Sequence, residues 1–114
     1  MTLFGMSAAT LLAWLLALAF LGAGVVNAAG SAKIKDDFMR WGYPRWWNVV
    51  TGGLEVLVAA LIAIPVTRMA GLGLGAAICV AAVVTVLRSK DYGHVAPGVV
   101  LTALSALNLA LLAG

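Results

Sequence analysis

Residues 49–65, VVTGGLEVLVAALIAIP, form an apolar run broken by one carboxylate, Glu55. Placing an ionised acid at the centre of such a segment costs about 2.5–3.5 kcal/mol on insertion scales. The group is therefore expected to be protonated or hydrogen-bonded at neutral pH. It can act as a proton-binding or ligand-anchoring acid, or as a static tie between helices. Asn48, Thr51, Gly52, Val58, Ala59 and Ile62 lie three, four or seven positions from Glu55, one helical face, while Val50, Leu54, Leu57 and Leu61 lie opposite. Polar and small residues thus share the acid's face, which predicts that it points inward. Thr102, Ser105 and Asn108 make a second polar stripe at i, i+3, i+6. Counting inward along each run puts Glu55, Cys79 and Ser105 at one depth near the bilayer midplane, so Ser105 or Asn108 is expected to bond to the Glu55 carboxyl.

Other candidates lie nearer the ends of the apolar runs. His94 can hydrogen-bond a quinone or a headgroup, and Arg45 and Arg88 are the cations an interfacial ligand would meet. Asn27 can join a polar network or satisfy a helix end. Trp14 and Cys79 read as packing residues. A lone thiol cannot form an intramolecular disulfide or a dithiol relay. One histidine and the absence of an acidic cluster argue against a metal or haem site. GLGLG at 71–75 has neither the spacing nor the preceding strand of a nucleotide-binding loop.

The elements that must position these groups follow from composition. The chain of 114 residues is 64% hydrophobic and 10% charged, with mean hydropathy +1.11. That belongs to membrane proteins rather than to soluble domains. Ten of the eleven charged side chains fall in short breaks between apolar runs, Glu55 being the exception. Runs at about 3–29, 46–66, 69–87 and 97–112 predict an all-α, single-domain bundle of four transmembrane helices. The first run has no basic start and is too long for a signal-peptide core, so it is read as an uncleaved helix.

Between the first two runs, Ile34, Phe38 and Trp41 recur at helical spacing, with Lys33–Asp37 and Asp36–Arg40 as charge pairs four apart. This predicts a short amphipathic helix at the membrane interface. Pro44 suits the first turn of the next helix. Gly71 and Gly75, one turn apart, predict close helix contact, either within the chain or in a homo-oligomer. The first and third breaks hold six basic residues against one, Arg68, in the second. The positive-inside rule then places both termini outside and loops 30–45 and 88–96 in the cytoplasm, in a bacterial inner membrane. The net charge of +3 reads as a topology signal, and no nucleic-acid partner is expected.

Three local patterns carry a family likeness: Gly30-x-x-Lys33 after the first run, Gly42-x-Pro44 before the second, and Gly52-x-x-Glu55 within it. In order and placement the sequence resembles the DoxX-like group of small four-helix membrane proteins. Some relatives are associated with quinone-linked sulfur oxidation or oxidative-stress complexes. The resemblance implies a membrane subunit or accessory partner of a redox enzyme, with quinone as the ligand to test, rather than an enzyme acting alone. Two alternatives stand beside it. One is a scaffold without chemistry. The other is a proton-coupled exporter similar to the small multidrug resistance transporters, although those carry their glutamate in the first helix, which here has no acid.

Overall fold

Serine, glycine and proline punctuate the apolar runs and set where each helix begins and ends. A computed structural model describes residues 2–3 and 6–113. Helix α1 (Ala8–Ala29) opens at Ser7, whose Oγ accepts from the Thr10 N–H at 3.1 Å. Its expected start at residue 3 moves to Ala8 because Thr2–Leu3 pairs antiparallel with Met6–Ser7, Thr2 opposite Ser7. Phe4 and Gly5, also assigned to the first run, lie outside the described residues. The helix closes at Gly30, at φ 61°, with its N–H donating to the Val26 carbonyl. Helix α2 (Ala32–Arg40) starts at once, Ser31 Oγ accepting from the Ile34 N–H at 3.2 Å.

Helix α3 (Trp47–Ala63) has 17 residues, roughly 25 Å at 1.5 Å per residue. It is shorter at both ends than the run at 46–66 suggests. Pro44 does not enter its first turn; the Pro44 carbonyl instead accepts the Trp47 N–H at 3.0 Å. At the far end Pro65 forces Ile64 into an extended conformation, and residues 65–67 make a single 3₁₀ turn. Helix α4 (Arg68–Arg88) follows, then a 3₁₀ turn at Tyr92–His94 and helix α5 (Val95–Ala113). Helices α1, α4 and α5 are long and apolar enough to cross a membrane, and α3 is the shorter apolar helix among them.

Each long helix packs on its sequence neighbour in the bundle, α1 on α3, α3 on α4 and α4 on α5, and α5 returns to α1. Leu16, Phe20, Val58, Ile62 and Leu72 fill the centre. In lipid such packing draws on close van der Waals contact more than on the hydrophobic effect. The closest approach is between α1 and α3. A Cβ on Gly52 would sit 2.5 Å from the Gly24 carbonyl oxygen and 2.5 Å from the Ala28 nitrogen, so neither glycine can carry a side chain here. Gly71 abuts Leu61 and Ile62, and Gly75 abuts Phe20 and Val58. The close contact expected of Gly71 and Gly75 is thus made inside the chain, and these two buried glycines are not available to a second copy.

The α1–α3 and α4–α5 connections lie at the same end of the bundle, joined by Arg40–Asp91 and by the Tyr43 hydroxyl on Thr85 Oγ1 at 2.8 Å. At the other end Arg68 is buried. Its Nε donates to the Ile62 carbonyl at 2.7 Å and its terminal nitrogen to the Ala63 carbonyl at 3.2 Å, so the cation caps α3.

Candidate functional site

Glu55 stands at the middle of α3, on the face that also buries Asn48, Gly52, Val58, Ala59 and Ile62, and it retains 8% of its surface. Its partner comes from α1: Asn27 Nδ2 donates to Glu55 Oε1 at 2.6 Å. Two turns earlier on α3, Asn48 Nδ2 donates to the Asn27 backbone carbonyl at 2.7 Å, which fixes the residue that holds the acid. The partner expected on α5 is not the one found. Asn108 Nδ2 reaches the Ala9 carbonyl at 2.9 Å, at the opposite end of α1, and Thr102 turns back to the Gly98 carbonyl at 2.7 Å. Ser105 Oγ is buried without a protein partner among the described residues. The cause is stagger: α3 packs along the second half of α1, where Gly24 and Gly52 let it approach, and so brings Glu55 to Asn27.

From this pair a cavity of about 550 Å³ runs toward the loop end. Asn27, Glu55, Thr51 and Cys79 line its depth, and Ile78, Val83 and Leu101 form part of its aliphatic wall. Trp41, Tyr43 and Trp47 supply an aromatic wall, with Tyr43 and Trp47 stacked at 5.6 Å and 5°. Asp37 and His94 stand at its mouth.

The mouth is built by α2 closing onto the α4–α5 turn. Asp91 accepts from the Trp41 indole at 3.1 Å, from Arg40, and lies 2.9 Å from His94 Nδ1. The His94 hydrogen bond, helped by Trp41 and Arg40, pulls the Asp91 carboxyl down to about 2. In return Asp91, and secondarily Asp37, holds the Arg40 guanidinium above its ordinary value. Asp37, buried on α2, also meets Lys33 at 3.5 Å, Arg40 at 3.0 Å and His94 Nε2 at 3.8 Å. The expected Asp36–Arg40 pair gives way, because Arg40 turns inward and Asp36 instead takes Arg45 at 3.4 Å.

Of the cations assigned to an interfacial ligand, neither Arg45 nor Arg88 lines this cavity, whereas His94 does. The motif residues work as follows. Gly30 ends α1, Lys33 pairs with Asp37, Gly42 and Pro44 turn the chain into α3, and Gly52 admits the close approach to α1. Sequence reasoning missed Asp37, Trp41 and Asp91 as members of the site, and it gave Asn27 a polar network or a helix end without naming Glu55 as its partner. The i, i+4 spacing of Lys33 and Asp37 was the available signal for the first. Nothing local announces that Asp91, some fifty residues on, meets Arg40 and Trp41.

An apolar cavity with a carboxyl–amide pair inside and an imidazole at its mouth suits a lipophilic molecule bearing a small polar head. No curated protein and no solved structure matches this sequence. The profile of the DoxX-like family matches residues 11–108, nearly the whole of the bundle. With its long apolar helices, the chain is an integral membrane protein, and it belongs to the DoxX-like family.

Proposed function

We propose that the protein is a single-domain, four-span membrane subunit that takes the head of a quinone-like lipid into the cavity and works beside a redox enzyme. Both termini face outward and the two basic connections face the cytoplasm of a bacterial inner membrane. The observation that carries the reading is the continuity of one cavity from Glu55 to His94. Its volume accommodates a substituted ring, its walls are aliphatic and aromatic, and its polar groups stand at the depth and at the mouth. A bound quinone would supply two-electron, two-proton chemistry. The chain's own residues would orient the head through the Asn27 amide and exchange protons with it through the Glu55 carboxyl inside and the His94 imidazole outside. Family relatives associated with quinone-linked or oxidative-stress systems support the same direction. Nothing favours the exporter reading, since α1 bears no acid.

Trp41 and Trp47 line the cavity, which gives a direct test. A short-chain ubiquinone added to protein in nanodiscs quenches their fluorescence saturably, and Glu55→Gln or His94→Ala weakens the effect. Quenching that is non-saturable and indifferent to both substitutions would favour the scaffold reading.

A further inference from the structure

A second recess of about 350 Å³ opens at the loop end and shares no lining residue with the cavity. Lys35, Arg45, Trp46, Asn48 and Val49 line it, with Ala28. We propose that it binds the phosphoglycerol headgroup of an anionic phospholipid.

Charge is the first argument. Lys35 has no carboxylate partner among the described residues, and Arg45 meets Asp36 at 3.4 Å through side chains that are both more than half exposed. Two cations therefore flank one recess with little internal neutralisation. The lysine stem runs beside Gly30, where its Cε would lie 3.1 Å from an added Cβ.

Asn48 supplies the second argument, independent of charge. The residue is fully buried, and its Oδ1 has no hydrogen-bond partner among the described residues. Its orientation is fixed, because Nδ2 donates to the Asn27 carbonyl and a flipped amide would set oxygen against oxygen. An orphaned acceptor in a site with two cations calls for a ligand that presents anionic oxygens and a hydroxyl donor close together. A phosphodiester alone offers no such donor, a choline head offers none, and an ethanolamine head would bring a further cation between Lys35 and Arg45. A glycerol phosphodiester offers both.

The third argument concerns source. Trp46 and Val49 are 59% and 56% exposed, and Val25 and Val26 on the last turns of α1 are also exposed. Acyl chains leaving the recess would run along this apolar seam, with Trp46 at headgroup depth. A soluble glycerophosphate would gain nothing from it.

Native mass spectrometry of the full chain tests the proposal. Dioleoylphosphatidylglycerol is compared with dioleoylphosphatidylmethanol, which keeps the charge and lacks the hydroxyls, and with dioleoylphosphatidylcholine. The expected order of retention is phosphatidylglycerol, then phosphatidylmethanol, then phosphatidylcholine. Lys35→Gln and Arg45→Gln each lower phosphatidylglycerol retention about fivefold, the effect of one interfacial cation. Lys90→Asn, an exposed change of equal charge, leaves it unaltered. Melting of each variant in phosphatidylcholine nanodiscs checks folding. Equal retention of the three lipids overturns the proposal. So does a phosphatidylglycerol preference that survives both recess substitutions, or full displacement of lipid by equimolar sn-glycerol 3-phosphate. The cavity reading stands or falls separately, because no cavity residue is altered.

Discussion

Asn27, three residues before the end of α1 at Gly30, donates its side-chain amide to Glu55 at the centre of α3. The acid is held by a neighbour from the start of the fold, and the polar stripe of α5 serves a different end of the bundle. Removing the amide leaves a buried carboxyl without its donor. Asn27→Leu should cost about 1–3 kcal/mol, the range for an orphaned buried polar group. Glu55→Gln, which preserves an acceptor, should cost less. Thermal unfolding in nanodiscs ranks the two. Equal stability of wild type and Asn27→Leu would show that the contact ties nothing.

The closure of α2 onto the α4–α5 turn should respond to acid through Asp91. Its folded-state value of about 2 lies below the ordinary 3.8, so folding favours the charged form. The stabilisation is present above the ordinary value and disappears as pH falls from there toward 2. Protection of the α2 amides against hydrogen exchange, taken relative to the intrinsic rate at each pH, should hold at pH 4 and fall as pH approaches 2. Asp91→Asn should exchange fast throughout, with no acid step.

The approach of α1 to α3 can be tested with adjacent glycines. A Cβ on Gly52 meets backbone at 2.5 Å, whereas one on Gly53 meets nothing within 4 Å among the described residues. Gly52→Ala should destabilise by about 1–3 kcal/mol through overpacking. Gly53→Ala should be neutral or stabilise by about 0.5–1 kcal/mol from helix propensity. The same thermal assay reads both. Matching effects at the two positions would remove the argument for close packing.

Arg68 looks in sequence like a solitary loop charge. Its bonds to the Ile62 and Ala63 carbonyls predict that Arg68→Met costs about 1–3 kcal/mol, while Arg88→Met, on an exposed side chain, stays within about 0.5 kcal/mol.

What could be read beforehand was what periodicity and run length encode. The long helices followed from apolar runs, and the inward side of α3 followed from the spacing of Gly52, Val58, Ala59 and Ile62. Helix α2 was legible from Ile34 and Phe38 at helical spacing. The partner of Glu55 was not, because depth was counted as if every helix spanned the same slab. The tight approach at Gly24 and Gly52 sets the register of α3 against α1 instead, and a single sequence does not announce which small residues meet. The Asp91 cluster was hidden for a related reason: it joins two connections that are distant in sequence and meet at one end of the bundle.

The turn between α3 and α4 has an environmental consequence. Ile64, Pro65 and Val66 are apolar, and Val66 is 94% exposed. The four carbonyls from Leu61 to Ile64 nevertheless all have partners: Thr67 Oγ1 serves the first and last, and Arg68 serves the two between. These four carbonyls need no water of their own. In the four-span arrangement proposed above, the apolar tip can therefore dip into the headgroup layer, which eases the fit of a helix only about 25 Å long.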